Sequence, residues 1–323
     1  MELSKPKVSV LMSVYNETLA DLRMAIDSIL SQTFKDFEFI IVLDNPQDES
    51  LYRCLLEYKE KDERIVVIRN SANIGLALSL NEAIKVARGD YYARMDADDI
   101  SSNTRIELEY DVIVSGNYDL VCTRYNFIDS NSNVIEYLQS RDRYYTSEEI
   151  SKFLPYKSII HHPTVMMSRR IVEIAGPYRN FPCSQDCDLW LRMLYHKARF
   201  FMLDKVLLNY RVRDDSTSSK KLLKQKFTIE YIRKLYLERK RKGHDSYSLE
   251  SYNGYINKYI KNERDDTKRL LNNNKEILIA NDLINKGFRI KGVVKKLKVI
   301  AGSPLYRHIY IELLRFRFLN KIL

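Results

Sequence analysis

"RNSANIGLALSLNEAIKVARGDYYARMDADDIS", residues 69–101, holds the reading on which the fold turns. Within it GLALSLNEAIKVARG carries apolar residues three and four apart, the helical period, and closes on Gly89 at a C-cap position. The aromatic run YYARMD (91–96) then reads as a strand, and it delivers Asp96, Asp98 and Asp99 into four consecutive positions. Carboxylates this close raise one another's pKa unless something positive sits among them. The stretch thus predicts a helix, a strand and an acidic strand end that calls for a cation.

Outward from there, KVSVLMSV (7–14), EFIIVLD (38–44) and RIVVIR (64–69) are apolar at nearly every position, as strands covered on both faces are. Between them TLADLRMAIDSILSQ and SLYRCLLEYKEKD have helical length and spacing. This βαβα alternation predicts a parallel, doubly wound sheet, whose ligands bind beyond the carboxyl ends of the strands. Those ends read Tyr15-Asn16-Glu17, Asp44-Asn45 and Asp96 to Asp99, three polar clusters converging on one crevice. No G-x-G-x-x-G follows the first strand, so a Rossmann dinucleotide site would lack its phosphate-cradling glycines. Past residue 100, YDLVCTRYNFID looks like strand, SQDCDLWLRMLYH (184–196) like a helix capped by Ser184, and KVLLNYRVR (205–213) like a returning strand. The chain from Ser218 reads as helix nearly throughout.

With 323 residues, 45% of them hydrophobic and 30% charged, the chain is long enough and apolar enough to bury a core. MELSKPK has no apolar h-region and no run of about 18 apolar residues occurs. The expected location is therefore cytoplasmic, with contact at the inner face of the plasma membrane left open. Cys54, Cys122, Cys183 and Cys187 are too few for a disulfide framework and read as reduced thiols, although Cys183 and Cys187 could meet across one helical turn. From Lys220 onward there are 26 Lys and Arg against 10 Asp and Glu, a balance of +16, whereas residues 1 to 219 hold 27 against 33, a balance of −6. Composition shifts at the same place, which suggests a domain over 1–217 and a basic, mainly helical region over 218–323.

Asp-x-Asp at a strand end offers hard oxygen ligands for Mg²⁺ or Mn²⁺, with the remaining positions left to water and phosphate oxygens. The alternative is an Asp-rich loop in which Asp99 or Ser101 caps the next helix. The order SVYNE, VLDN, RNSANIGLALSLNEAIKVARGDYYARMDADDIS, HHPTVM, QDCDLWLRM and YRVR resembles the family 2 glycosyltransferases, inverting enzymes of GT-A fold that build bacterial polysaccharides. The resemblance covers roughly residues 7 to 215.

It implies a GT-A fold, a doubly wound, mostly parallel α/β sheet of the nucleotide-diphospho-sugar transferase type with a C-terminal helical extension. It also implies a nucleoside diphosphate sugar donor, with UDP expected, a saccharide acceptor that is often lipid-linked, and a role in capsule, O-antigen or other surface polysaccharide synthesis. By the same resemblance Tyr15, Asn16, Glu17, Asp44, Asn73 and Asp96 fall at nucleotide-binding positions, Asp96 and Asp98 at the metal, and Asp186 at the catalytic base. Two positions depart from the family pattern, Asn45 and Gln185, and Tyr210-Arg211-Val212-Arg213 lacks the family's histidine, which leaves Arg213 to pair with the diphosphate. An acceptor hydroxyl must lose its proton as it attacks the anomeric carbon, so a single carboxylate suffices on the protein's side. Trp190, one helical turn beyond Asp186, is either a sugar platform on the same face or core. His162, Arg94 and Arg211 are further candidates for donor or acceptor contact, and His161 a weaker one; ion pairing with the acidic cluster is the alternative for Arg94.

Rival readings are a sugar nucleotidyltransferase, which would want a Gly-rich basic loop after strand one, and a nucleotide-binding module without turnover. In the rear, KGVVKKLKVIA (291–301) puts Val293, Val294, Leu297, Ile300 and Ala301 on one helical face, and SPLYRHIYIELLRFRFLNKIL opens with a Ser-Pro cap pair. Such helices suit an anionic membrane surface, and equally a bundle or a homo-oligomer interface. Nucleic acid is not the expected partner, although the tail's Lys, Arg and Tyr are compatible with it.

Overall fold

All seven residues of Phe37–Leu43 are buried, although one of them is a glutamate. They form β2 in a computed structural model that describes residues 5–136, 145–157, 159–212, 222–260 and 262–322. The chain divides into two compact units, Met1–Asp214 and Asp215–Leu323; the expected boundary at 217/218 falls outside the described residues.

In the first unit, β1 (Val8–Val14), β2, β3 (Ile65–Arg69) and β4 (Tyr91–Asp96) are joined by α1 (Leu19–Leu30), α2 (Glu49–Lys61) and α3 (Leu76–Val86). The four strands pair in parallel in the order β3-β2-β1-β4, the doubly wound half that the alternation predicts. Six of β2's seven side chains are Phe, Ile, Val or Leu, and each contributes about 1.5–3 kcal/mol on full burial, which is why this parallel half of the sheet holds. The far half is mixed. β8 (Val165–Ser168) runs antiparallel between β4 and β6 (Leu120–Ile128), β9 (Phe200–Arg211) is parallel to β6, and β5 (Ile100–Ser101) and β7 (Val134–Glu136) pair antiparallel with β9 and β6. The sheet is therefore mostly, not wholly, parallel, because β5, β7 and β8 run against their neighbours.

Register brings the strand ends level. Val14 lies opposite Leu43 and Ser13 opposite Asp96, so Tyr15, Asp44 and the Asp96–Asp99 run leave the sheet along one edge.

Two local expectations are corrected. Helix α3 ends at Val86, capped at Ala87, and Gly89 does another job. A Cβ on Gly89 would stand 2.6 Å from Ser9 N and 2.7 Å from Val8 C, while its own N–H donates to Ser9 Oγ at 2.9 Å. Ser9 Oγ donates in turn to buried Glu38 at 2.7 Å, and Glu38 also receives Arg88 N at 2.6 Å and Arg88 Nε at 2.9 Å. Glycine is needed here for close backbone approach. Gly89→Ala should cost about 1–3 kcal/mol, read as a lower urea midpoint with unchanged slope; an unchanged midpoint would show that the β1 backbone yields freely.

The second correction concerns the acidic loop. Neither Asp99 nor Ser101 caps a helix, because α4 (Arg105–Ser115) starts beyond Thr104. Arg105, fully buried, instead ties three segments together: Nε donates to Ser101 Oγ at 2.8 Å, and Nη1 donates to the carbonyls of Arg94 at 3.1 Å and Pro163 at 2.9 Å.

Further on lie α5 (Ser147–Phe153), a 3₁₀ turn at His162–Thr164, α6 (Arg169–Ala175) and α7 (Gln185–Tyr195). Ser184 occupies the N-cap position of α7 but has φ +60 and its hydroxyl makes no capping bond, so the sequence-based expectation of a serine cap fails there. What holds α7 is Arg192, which donates to Asp188 at 2.8 Å and to the carbonyls of Gly176 and Pro177, both at 2.8 Å.

The second unit is helical: α8 (Leu222–Lys242), α9 (Leu249–Tyr259), α10 (Glu263–Asn285), α11 (Arg289–Gly302) and α12 (Pro304–Ile322). Leu223, Phe227, Tyr231, Ile232, Leu235, Tyr252, Leu270 and Phe316 are among its buried residues. Glu230 accepts from Tyr255 Oη, from His308 Nε2 at 3.1 Å and from Lys234 Nζ at 3.2 Å. The Ser-Pro pair behaves as expected, Ser303 Oγ accepting from Tyr306 N at 3.2 Å with Pro304 opening the helix.

Candidate active site

The site begins where β1, β2 and β4 end. Tyr15 and Asn16 are exposed, and Tyr15 N donates to Glu17 at 2.7 Å, which tightens the turn after β1. Asp44, buried, takes three donors: Asn70 Nδ2 at 2.8 Å, Ile74 N at 2.9 Å and Gly75 N at 2.8 Å. Asn73 Oδ1 accepts from the same Gly75 N at 3.1 Å, and Gly75 has φ +85, a conformation an L side chain rarely adopts. An ionised carboxylate offers about four acceptor sites, so about one of Asp44's remains for a ligand.

At the end of β4, Arg94 and Asp96 form an ion pair two residues apart. Alternation along a strand would normally put them on the same face, and here it does. The Arg94 guanidinium is buried, and its Nε and Nη1 have no hydrogen-bond partner among the described residues. Asp99 is wholly buried; Oδ1 accepts from Arg211 N at 2.9 Å and Oδ2 has no partner among the described residues. Burial, then the charges of Asp96 and Asp98, push the Asp99 carboxyl well above the usual range. The three aspartates are thus within electrostatic reach of one another.

Across from them stand α7 and the His161-His162 turn. Asp186, half-buried in the first turn of α7, is pushed up to about 6 by burial, with backbone N–H donors of Cys187 and Asp186 opposing the rise, Asp96 adding to it and Arg94 lowering it. Asp186 is therefore within electrostatic reach of Asp96 and Arg94. Burial holds His161 down at about 4, with Asp96 opposing, and its Nε2 shares a hydrogen bond with the Tyr125 hydroxyl. His162 is held well below its ordinary value by burial and then by Arg94, with Nε2 2.8 Å from the Tyr178 hydroxyl. Both imidazoles are neutral at physiological pH. Tyr210 packs its ring 6.0 Å from Tyr125 and 6.1 Å from His161; burial raises its pKa, and Asp96, Asp99 and Asp98 raise it further.

The sequence and fold of this chain have known counterparts. The profile described as Glycosyl transferase family 2 matches residues 9–174, just over half of the chain. The chain belongs to glycosyl transferase family 2. It is 35% identical over 241 residues to the uncharacterized glycosyltransferase MJ1057 of Methanocaldococcus jannaschii, covering 74% of this chain and 82% of that protein. To the O-antigen biosynthesis glycosyltransferase WbnJ of Escherichia coli it is 33% identical over 219 residues, 67% of this chain and 83% of the other. Among solved structures, residues 1–349 of S. aureus TarS with UDP-GlcNAc superpose with a TM-score of 0.60 at 16% identity, over 98% of this chain and 90% of that one, which establishes the GT-A type of fold. The longer TarS structure gives a TM-score of 0.58 at 18% identity, over 96% of this chain, and this chain spans 54% of its length.

Two candidate residues of this family 2 glycosyltransferase sit elsewhere than expected. Trp190 is fully buried with its ring 6.1 Å from His162, so it backs the histidine and offers no open face to a sugar; its Nε1 has no partner among the described residues. Arg211 is buried and engaged with the protein itself: Nε donates to Asp98 O at 2.9 Å and pairs with Asp21 at 3.1 Å, Nη1 donates to Asp129 O at 2.8 Å and Nη2 to Ser132 Oγ at 3.0 Å. That guanidinium clips the acidic loop in place and has little left for a ligand. Arg213 lies outside the described residues. Sequence reading of this glycosyltransferase passed over Tyr125, Tyr178 and Arg105, which orient His161, His162 and the Asp loop. Only Tyr125 carried a signal, as part of a strand-like run leading toward the site.

Proposed function

We propose that this glycosyltransferase moves a sugar, with inversion, from a nucleoside diphosphate donor, UDP in the first instance, to a hydroxyl of a saccharide acceptor in surface polysaccharide synthesis. The observation that carries it is Asp186: a half-buried carboxyl with its pKa raised to about 6, at a helix start, within electrostatic reach of Asp96 and Arg94. The acceptor oxygen attacks the anomeric carbon, Asp186 takes its proton, and the bond from that carbon to the diphosphate oxygen breaks on the opposite face. WbnJ, an O-antigen biosynthesis enzyme, and EpsE of Bacillus subtilis, a putative glycosyltransferase 32% identical over 224 residues, support the polysaccharide setting, and TarS crystallised with UDP-GlcNAc and with UDP supports the nucleotide.

In this reading Tyr15, Asn16, Glu17, Asn73 and the remaining acceptor site of Asp44 receive the nucleoside. Arg94, buried and paired with Asp96, balances the acidic cluster beside the donor, and His162 lines the sugar side. Among the described residues no three acidic, His or Cys side chains form a ready-made metal cage. Mg²⁺ and Mn²⁺ in nucleotide sites take one or two carboxylates and complete their shells with phosphate and water, so Asp96 and Asp98 fit such an ion. When bound, it would supply positive charge to the leaving diphosphate. The transfer chemistry belongs to residues 1–217, with 218–323 as an appended region, and a lipid-linked acceptor is the reading that suits the tail.

Purified protein with Mn²⁺ or Mg²⁺ and a panel of UDP- and dTDP-sugars should release nucleoside diphosphate, and chelation should reduce release by about tenfold or more. Tight nucleotide binding by calorimetry without turnover of any donor, in the presence of saccharide acceptors, would overturn the enzymatic reading.

A further inference from the structure

Helix α11 packs the opposite way from its amphipathic pattern, and α12 leaves a second apolar stripe in water. On α11 the side turned toward α10 carries Gly292, where a Cβ would stand 2.5 Å from Ile284 Cγ1 and 2.6 Å from Ala280 O, and Lys295, whose Nζ lies 2.5 Å from Glu276. The apolar stripe faces water: Ile290 is 81% exposed and Leu297 59%, with Val293 and Val294 between them also exposed. On α12 the inward side carries Phe316, under the Arg233 guanidinium at 5.4 Å, and Asn320, 3.3 Å from Lys240 Nζ. Its outward stripe runs through Leu314, Phe318 at 66% and Ile322 at 65%.

α11 thus spends a small and polar face on packing, and both helices leave an apolar stripe uncovered. Around those stripes residues 286–323 hold ten Lys and Arg against one acid, Glu312.

We propose that α11 and α12 form a docking surface for an anionic phospholipid bilayer, on which both helices lie in the interface with their apolar stripes among the acyl chains and their Lys and Arg at the headgroups. No described helix is long and apolar enough to cross a membrane, so the helices lie on it and do not pass through it. The choice of occupant rests on charge. A second copy would bring one strongly basic surface against another, and a nucleic acid would meet the Lys and Arg but leave Ile, Leu and Phe in water. An anionic bilayer satisfies both at once, apolar burial and attraction to headgroups acting together. The surface lies wholly in the second unit and stands apart from the reading of the active site.

The test uses the full chain in flotation with phosphatidylcholine vesicles, with and without about a third phosphatidylglycerol. Binding should be at least about tenfold stronger to the anionic vesicles, should weaken as salt is raised, and should fall about tenfold or more in Leu297→Glu/Phe318→Glu. Both substituted side chains are exposed, so circular dichroism should match the parent; if that variant misfolds, Lys291→Gln/Lys298→Gln should still lower binding to anionic vesicles while leaving helicity intact. The proposal fails if the parent does not float with anionic vesicles, or if both variants float as the parent does. It fails equally if ultracentrifugation shows a dimer that Leu297→Glu/Phe318→Glu dissolves, or if the chain binds RNA or DNA and not vesicles.

Discussion

Asp186→Asn should lower the rate of sugar transfer by about 10²- to 10⁴-fold while donor binding, followed by calorimetry with UDP, stays within about threefold of the parent. The amide keeps the size of the side chain and its place at the start of α7 but cannot take a proton from the acceptor. The pH profile gives a second, independent reading. Burial puts Asp186 at about 6, and the groups facing it are Asp96 and Arg94 from β4 and the Tyr178 hydroxyl. A carboxyl raised in this way is protonated, and idle as a base, below that value. The parent's kcat/KM should therefore climb with unit slope to about pH 6 and level off above it, and the variant's remaining rate should lack that limb. Stability moves in the opposite sense. A carboxyl whose folded pKa exceeds its unfolded value makes the native state bind more protons, so stability is lost as pH rises through the interval between about 4 and about 6. Removing that charge should leave Asp186→Asn no less stable than the parent at neutral pH, a trade of stability for function. A variant that transfers sugar at the parental rate would remove Asp186 from the role of base.

The pattern of what sequence reading could and could not reach has a physical cause. The β1–β4 half was legible because both faces of its strands are covered, so that KVSVLMSV, EFIIVLD and RIVVIR are apolar end to end and the helical period between them is clean. Strand ends on a parallel sheet then follow from topology, which is why the sequence alone gathers Tyr15, Asp44 and Asp96 at one edge. Gly89 was misread because a C-cap and a close approach to a neighbouring backbone call for the same residue, and only the contact with Ser9 tells them apart. Trp190 and Asp186 lie one turn apart on α7, yet one is sealed in the core and the other half-open, a difference set by what packs above the helix and not by its spacing. The tail illustrates the same limit: the stripe on α11 was correctly drawn as apolar, but the face a helix packs with depends on what its neighbours offer, and α10 offers a groove that only Gly292 fits.

Arg211→Met should cost about 3–5 kcal/mol of stability, the scale of breaking a buried ion pair from one side. The side chain is almost wholly buried, and methionine can fill its volume but supplies no donor. Asp21, also buried, would lose its ion pair with Arg211 at 3.1 Å, and the carbonyls of Asp98 and Asp129 would lose the guanidinium at 2.9 and 2.8 Å. The loss is read as a lower urea midpoint with unchanged slope. Arg211→Lys separates charge from geometry: one ammonium can still meet Asp21, but it cannot also reach Asp129 O and Ser132 Oγ as the planar fork does, so it should recover only part of the loss. Activity should fall with stability in this series, because Arg211 holds the Asp98 carbonyl and, through its own backbone N–H, Asp99 Oδ1, and so fixes the loop that presents Asp96 and Asp98. The opposite result is equally informative. If Arg211→Met keeps the parental midpoint and raises only the KM for the nucleotide sugar, the guanidinium turns outward to the donor in solution, and the clip described here is not what holds the acidic loop.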